Sequence, residues 1–297
     1  MPDTGIDELF EIKNSFYLGH FQQCINEAQK LRIADDEKRI ARDVFLYRSY
    51  IAQRKLAIVL DEVTSASPED LRYVRLFAEY LSNPTKSAEI VSEIESLVNK
   101  GTELNNSTFI LMSAMIYIHE ENLDQALRIL HHSDDLECMA LSIQCLLKLD
   151  RVDMAVKELK KMHEKDEDAT ITQLATAWTN MALGKGKLQE AFYIFQELMD
   201  KYGAAPSLLH AQAATLVMQE KYDQAEQLLS QALEKDNNDT ETIINSVVVS
   251  QLLGKAPEIS NRYISQLKDG HADHRWTKDY ISKDKEFDRL VAQYGQA

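Results

Sequence analysis

Apolar and polar residues follow a helical period along most of this chain, and one amphipathic segment of nine residues recurs along it. The copies occupy residues 20–28, 55–63, 122–130, 151–159, 187–195, 221–229 and 255–263. The second, fifth and ninth positions are mostly apolar, as with Tyr222, Ala225 and Leu229. Offsets of three and four residues place these side chains on one face of a helix. Each copy is therefore predicted to form an amphipathic helix.

The fifth position of the recurring segment usually holds a small residue. It is occupied by Cys24, Val59, Ala126, Ala155, Ala191, Ala225 and Ile259. The copies are roughly 34 residues apart, the period of tetratricopeptide repeats, and one copy is missing in the irregular stretch 84–104. Further apolar helical patterns precede the copies, as at 108–118, 207–218 and 241–253. The sequence therefore predicts an all-α fold, an α-solenoid of tetratricopeptide-like helical hairpins whose second helices carry the recurring segment.

The chain shows no change of composition and no linker that would divide it. Nine glycines and five prolines are few for 297 residues, which argues against a turn-rich β-sandwich. A last helical pattern ends in residues 287–294, and an open solenoid end would expose apolar surface. We therefore predict a tetratricopeptide-like solenoid over residues 1–270 and a C-terminal helical cap, continuous with it, over residues 271–297.

The charge balance narrows the class of partner. The formal net charge is −15 and the pI is about 5.0. An acidic surface repels phosphate and anionic lipid, so a protein partner is expected rather than nucleic acid or a membrane surface. The sequence has neither a secretory signal pattern nor the roughly 18 apolar residues of a bilayer span. We expect a cytoplasmic protein in which Cys24, Cys138 and Cys145 are buried free thiols.

No motif in the sequence indicates catalysis or cofactor binding. Residues 184–187 (Gly-Lys-Gly-Lys) lack the length and the closing Ser or Thr of a phosphate-binding loop. His131 and His132, or His271 and His274, have no cysteine nearby to complete a tetrahedral metal site. We therefore expect no catalytic residue, no metal and no cofactor, and a function in binding other proteins.

The first helices of the hairpins are the predicted partner-binding surface, since they line one face of a solenoid of this class. Aromatic, methionine and aliphatic side chains on these helices suit a long apolar segment of a partner. The same positions are equally compatible with packing between repeats. The predicted partner groove consists of Phe10, Asn14, Tyr17, Val44, Arg48, Ile51, Leu111, Met115 and Ile118.

Several stretches carry residues that the repeat pattern alone does not require. They are DELFEIKNSFYLGHFQQCINEAQ (7–29), RDVFLYRSYIAQRK (42–55), DEDATITQLATAW (166–178), NRYISQLKD (261–269) and FDRLVAQY (287–294). The sequences of these stretches closely resemble the epsilon-subunit family of coatomer. The resemblance extends from one end of the chain to the other, with the stretches in the same order and at the same spacing.

The resemblance implies a subunit of the COPI vesicle coat, which supports Golgi-to-ER retrieval and intra-Golgi transport. In that family the subunit is a helical-repeat solenoid that binds the C-terminal domain of alpha-COP and stabilises it within the coat. It also implies a non-catalytic scaffold without a cofactor, peripheral on Golgi membranes and COPI vesicles. Its membrane association is expected to be indirect, through the other coatomer subunits.

Three other functions remain open on the residues alone. A tetratricopeptide-type adaptor would bind a peptide or a chaperone C-terminus through Lys, Asn and Arg on the first helices. Asn14 lies near one such position, whereas Phe10 and Phe45 lie near positions where Lys and Asn would be needed. An all-helical enzyme would need a catalytic constellation that the sequence does not show. A subunit of another assembly is compatible with the fold alone.

Overall fold

The computed structural model describes residues 7–295, and the regular elements in this range are 17 α-helices and one short 3-10 turn, without strands. The prediction of an all-α fold is confirmed. The helices are α1 (Phe10–Tyr17), α2 (Phe21–Lys30), α3 (Asp36–Ala52), α4 (Leu56–Glu62), α5 (Glu69–Ser82), α6 (Ser87–Lys100), α7 (Ser107–His119), α8 (Leu123–Leu130), α9 (Leu136–Lys148), α10 (Val152–Lys165), α11 (Thr170–Leu183), α12 (Lys187–Tyr202), α13 (Pro206–Met218), α14 (Tyr222–Lys235), α15 (Thr240–Leu252), α16 (Pro257–Gly270) and α17 (Arg275–Tyr294). The 3-10 turn, Pro84–Lys86, precedes α6.

Consecutive helices pack as hairpins, and the first helices of neighbouring hairpins also contact one another. Helix α7 packs against α8 and α9 against α10, while α5, α7, α9 and α11 contact each other in sequence. The stretch 84–104, which lacks a clear copy of the repeat, forms α6, with Ile90 and Ile94 buried. It is the second helix of a hairpin with α5, although its sequence does not carry the recurring pattern.

The small position of the repeat is buried within the hairpins. Its residues are completely buried in six of the seven copies, namely Cys24, Val59, Ala126, Ala155, Ala191 and Ala225, each 0% exposed. In the seventh copy the predicted register is wrong by one residue, because Ile259 is 42% exposed and Ser260 is 8% exposed. The buried position of α16 is thus also occupied by a small residue.

A residue in the left-handed conformation lies in the turn of every hairpin except α5–α6. These residues are Gly19, Arg54, Glu121, Asp150, Lys185, Glu220 and Gly254, with φ between 49° and 85°. In six of these turns, all but the one at Lys185, the next N–H donates to a carbonyl five residues back, as Lys221 N does to Leu216 O at 2.9 Å. The turn geometry therefore repeats with the period of the sequence although the residue type does not.

The chain forms two compact units, Met1–Ile194 and Phe195–Ala297. The core of the first is built from clusters on α1–α3, on α3–α9 and on α9–α11. In the second, Ile243, Val247, Ile264 and Leu267 on α15 and α16 are buried together.

The predicted division into residues 1–270 and 271–297 stays a prediction. Within the second unit, Trp276 and Tyr280 at the start of α17 pack against the α15–α16 cluster. Further along α17, Phe287 and Tyr294 are exposed.

Candidate partner-binding surface

The nine predicted groove residues lie on three first helices of the first unit, α1, α3 and α7. Five of them are buried, at 6% to 8% exposure, namely Asn14, Val44, Arg48, Ile51 and Leu111. Tyr17, Met115 and Ile118 are partly buried, and Phe10 is 50% exposed. Most of this surface is therefore in contact with other parts of the chain, and Phe10 offers the largest free area.

The aliphatic members of the set pack between repeats. Val44, Ile51 and Leu111 belong to the buried cluster that extends from α3 to α9, and Met115 and Ile118 pack against it. Their side chains connect the first helices of successive hairpins. Packing between repeats was the alternative that the sequence left open for these positions, and any partner contact there stays a prediction.

Arg48 forms a buried ion pair with Glu137, 89 residues away on α9. Its Nη1 donates to Glu137 Oε2 at 3.0 Å, and Nη2 donates to the other carboxylate oxygen. The guanidinium also lies 4.5 Å from the centre of the Phe16 ring and 5.3 Å from that of Phe45. Burial acts to lower the pKa of Arg48, but the Glu137 carboxylate outweighs it, so that the pKa lies above its usual value.

Tyr17 joins the same network from α1. Its hydroxyl donates to Glu137 Oε2 at 3.3 Å, and its ring lies edge-on to that of Phe45, with 5.9 Å between the centroids. Burial and the negative charge of Glu137 both raise the pKa of Tyr17, so the phenol keeps its proton. One carboxylate of α9 thus holds side chains of both α1 and α3.

Asn14 links the first hairpin to α11. Its Oδ1 accepts a hydrogen bond from Thr170 Oγ1 at 2.6 Å, across 156 residues of sequence. Both residues are buried, at 6% and 5% exposure. Asn14 Nδ2 is also buried and has no hydrogen-bond partner. Helix α1 therefore contacts α9 and α11 in addition to its neighbours in sequence, within the first unit.

A cavity of about 280 Å³ lies where α1 meets α9 and the segment that leads into α11. Phe10, Asn14 and Tyr17 line it from α1, Glu137 from α9 and Thr170 from α11. Of the predicted groove residues, only these three from α1 border the cavity. The site on the structure is thus a junction between distant repeats.

The sequence did not reveal the residues that complete this junction. Glu137 and Thr170 were not among the predicted residues, because nothing in the local pattern marks a carboxylate or hydroxyl whose partner lies 89 or 156 positions away. Thr170 lies in the family-specific stretch 166–178, which was the one available signal.

Metal binding needs a cluster of ligating side chains, and thiol chemistry needs a cysteine that can lose its proton. Among residues 7–295, no cluster of His, Cys, Asp and Glu has the arrangement of a metal site, and no helix is long and apolar enough to cross a bilayer. Cys24, Cys138 and Cys145 are free and buried, which confirms the prediction. Burial raises the pKa of Cys138 to about 12 and that of Cys145 to about 11, so these thiols are protonated and unreactive.

Comparison with solved structures defines the class of protein. Over 93% of this chain, the structure matches 55% of a chain in the APC/C hetero-tetramer Cut9-Hcn1, with a TM-score of 0.62 at 14% sequence identity. Over 89%, it matches 98% of a tetratricopeptide repeat protein from Parabacteroides merdae, with a TM-score of 0.61 at 13% identity. At this identity the likeness shows the fold alone. The protein is an all-α, tetratricopeptide-like solenoid.

Comparison of sequences then identifies the family. The family model of the coatomer epsilon subunit matches residues 5–295. The chain is 39% identical to coatomer subunit epsilon of Caenorhabditis elegans, over 96% of this chain and 98% of that protein. It is 37% identical to coatomer subunit epsilon-2 of Arabidopsis thaliana, over 97% of each. The chain belongs to the coatomer epsilon-subunit family, which confirms the resemblance in its sequence and makes it a subunit of a coat.

Proposed function

We propose that this chain is a non-catalytic scaffold that binds the C-terminal domain of alpha-COP and stabilises that subunit within the COPI coat. The observation that carries the proposal is family membership over residues 5–295, in a fold whose described regular elements are all helical. The coat would then support Golgi-to-ER retrograde and intra-Golgi transport. The chain would act in the cytoplasm, peripheral on Golgi membranes and COPI vesicles.

The α1–α9–α11 junction supports this role because it fixes the binding surface in advance. Glu137 and Thr170 hold Arg48, Tyr17 and Asn14 across 89 to 156 residues of sequence. A surface that is already ordered loses little conformational entropy when a partner binds. The exposed ring of Phe10 and the partly buried Met115 and Ile118 supply apolar area at the predicted groove.

Membrane attachment would be indirect. The net charge of −15 disfavours contact with anionic lipid, so other coatomer subunits would provide the attachment. We expect the purified chain not to cosediment with anionic liposomes at physiological salt. Cosedimentation in the absence of other subunits would contradict this part of the proposal.

The test is a binding measurement with purified components. The chain is mixed with the C-terminal domain of alpha-COP, and the mass of the complex is determined by size-exclusion chromatography with light scattering. We expect a stable complex with one copy of each protein and a raised melting temperature of the alpha-COP domain. Two separate peaks at micromolar concentration would contradict the proposal, whereas capture of a chaperone C-terminal peptide would favour the adaptor alternative.

A further inference from the structure

The cavity between α1, α9 and α11 has aromatic walls. Phe10, Tyr17 and Phe45 line it, together with the aliphatic side chains of Leu136 and Ile171. Its volume of about 280 Å³ lies just below the roughly 300–1,000 Å³ of pockets that hold small molecules. The size therefore suits one side chain and its peptide group better than a cofactor.

The rim of this cavity carries more negative than positive charge. Asp7, Asp135, Glu137 and Asp166 line it, and Lys13 is the lining residue that opposes them. Lys13 is paired with Asp7 at 2.8 Å, and Glu137 is paired with Arg48.

Asp135 and Asp166 are the two rim carboxylates that remain without a cation among the described residues. Each uses one oxygen for the backbone: Asp135 Oδ1 accepts from Glu137 N at 2.8 Å, and Asp166 Oδ1 accepts from Ala169 N at 3.0 Å. Neither carboxylate forms an ion pair with a described residue, and Lys13, the cation of the same lining, is already paired with Asp7. The rim is thus complementary to a cation.

Asn14 provides a second and independent observation at this cavity. Asn14 lines the cavity, its side-chain nitrogen is buried without a hydrogen-bond acceptor, and its oxygen accepts from Thr170. A buried donor without an acceptor is energetically costly. A carbonyl oxygen of an occupant that contacted Asn14 Nδ2 would supply the missing acceptor.

We propose that this cavity binds a lysine or arginine side chain of a protein partner. The aliphatic stem would lie against Phe10, Tyr17 and Leu136, and the cation would face Asp135 and Asp166. The main-chain carbonyl of the same residue would accept a hydrogen bond from Asn14 Nδ2. Aromatic faces attract cations, which adds to the attraction of the carboxylates. The inference rests on the proposed function in taking the occupant to be part of a protein partner.

The first arm of the test uses small probes and the full chain. The peptide Ac-Gly-Lys-Gly-NH2 is titrated into labelled protein, and the backbone amide resonances of Leu136, Ala169 and Thr170 are followed by NMR. The control probe is the same peptide with norleucine, which keeps the stem and lacks the charge. We expect saturable shifts with lysine and none with norleucine at the same concentration. Equal binding of both peptides, or no shift with either, would overturn the inference.

The second arm removes the unpaired charges without removing the turns that they support. In Asp135→Asn/Asp166→Asn both side-chain oxygens that accept from the backbone are retained, since Asn caps helices as well as Asp does. We expect the dissociation constant of the lysine peptide to rise about tenfold, as two exposed charge contacts are lost. The matched control is Asp236→Asn, because Asp236 accepts from Asn238 N at 2.9 Å in the loop after α14 as Asp166 does after α10.

The same variants separate this inference from the proposed function. If the C-terminal domain of alpha-COP binds wild type and Asp135→Asn/Asp166→Asn equally well, and the lysine peptide does not bind, the cavity inference is wrong and the proposed function stands. If the lysine peptide binds and the alpha-COP domain does not, the proposed function fails and the cavity is retained as a site for a basic side chain.

Discussion

The guanidinium of Arg48 on α3 and the carboxylate of Glu137 on α9 form an ion pair that is almost completely removed from solvent. The two side chains are 6% and 15% exposed. They lie 89 residues apart in sequence, so the pair fixes the position of one hairpin relative to another. The Tyr17 hydroxyl donates to the same carboxylate, which brings α1 into the network.

Removal of one partner of this pair should destabilise the first unit strongly. In Glu137→Ala the guanidinium of Arg48 stays buried without its counter-charge, and we expect a loss of about 3–5 kcal/mol in the free energy of unfolding. The double substitution Arg48→Met/Glu137→Leu should lower the free energy of unfolding far less, since no charge is then left buried. Urea unfolding followed by the fluorescence of Trp178, in a Trp276→Phe background, reports on this unit.

The control for this prediction is an exposed pair in the same unit. Arg39 and Asp36 lie 2.8 Å apart, with side chains that are 50% and 76% exposed. Asp36→Ala should change the stability by less than about 1 kcal/mol. A loss for Glu137→Ala as small as that for Asp36→Ala would mean that the buried network does not hold the hairpins together.

The small position of the repeat predicts where a large side chain is not tolerated. Ala225 is completely buried between α14 and its partner helices, so Ala225→Trp should destabilise the second unit by about 1–3 kcal/mol or more. Ser260→Trp should do the same, whereas Ile259→Trp on the exposed face of α16 should be nearly neutral. Thermal unfolding of the three variants measures this. If Ile259→Trp destabilised the protein more than Ser260→Trp, the register predicted from the sequence, with Ile259 at the small position, would be correct.

The left-handed turn residues offer a stabilising change and its reverse. Glu220 has φ of 61°, a conformation that costs an L-residue about 1–2 kcal/mol relative to glycine before the greater flexibility of unfolded glycine is counted. We expect Glu220→Gly to stabilise the second unit by about 0.5–1 kcal/mol. Gly254 has φ of 65° and open space around it, so Gly254→Ala should destabilise by a similar amount through the backbone alone. Chemical denaturation measures the change in stability of each variant. If both variants were stabilised, or both destabilised, this account of the turns would be refuted.

Asp239 gives the second unit a dependence on pH. It caps α15, where its Oδ2 accepts from Thr242 N at 2.9 Å and lies 3.3 Å from His210 Nδ1. Burial acts to raise the pKa of Asp239, but the contacts with His210 and Thr242 outweigh it and lower the pKa to about 2. Since the pKa is lower in the folded state, the contribution to stability is fully present above about pH 4 and is lost as the pH falls toward 2.

Replacement of the Asp239 carboxylate tests the direction of this pH dependence of stability. Asp239→Ala should lose on the order of 2 kcal/mol at pH 6, and the difference from wild type should shrink between pH 5 and pH 2. Asp239→Asn keeps the cap and should lose less. Urea midpoints measured across this range decide the matter, and a difference that grows on acidification would show that the carboxylate is not stabilised in the folded state.

The sequence by itself determined the all-α class, the hairpin repeat and the family, because these depend on local periodicity and on family-specific residues in five stretches between residues 7 and 294. It also placed the small residues correctly at Cys24, Ala126 and Ala225, since the close approach of two helices restricts a position whatever its neighbours are. It failed at Ile259, where two adjacent residues both fit a helical period and only packing distinguishes them.

The tertiary structure alone decided which first-helix residues face other repeats. Asn14, Tyr17 and Arg48 were correctly placed on first helices, but their contacts with Thr170 and Glu137 depend on how far the chain turns from one hairpin to the next. That rotation is small for each repeat and adds up over several of them, so no local pattern encodes it. The cavity beside α1 exists for the same reason, because its walls come from helices that only the accumulated rotation brings together.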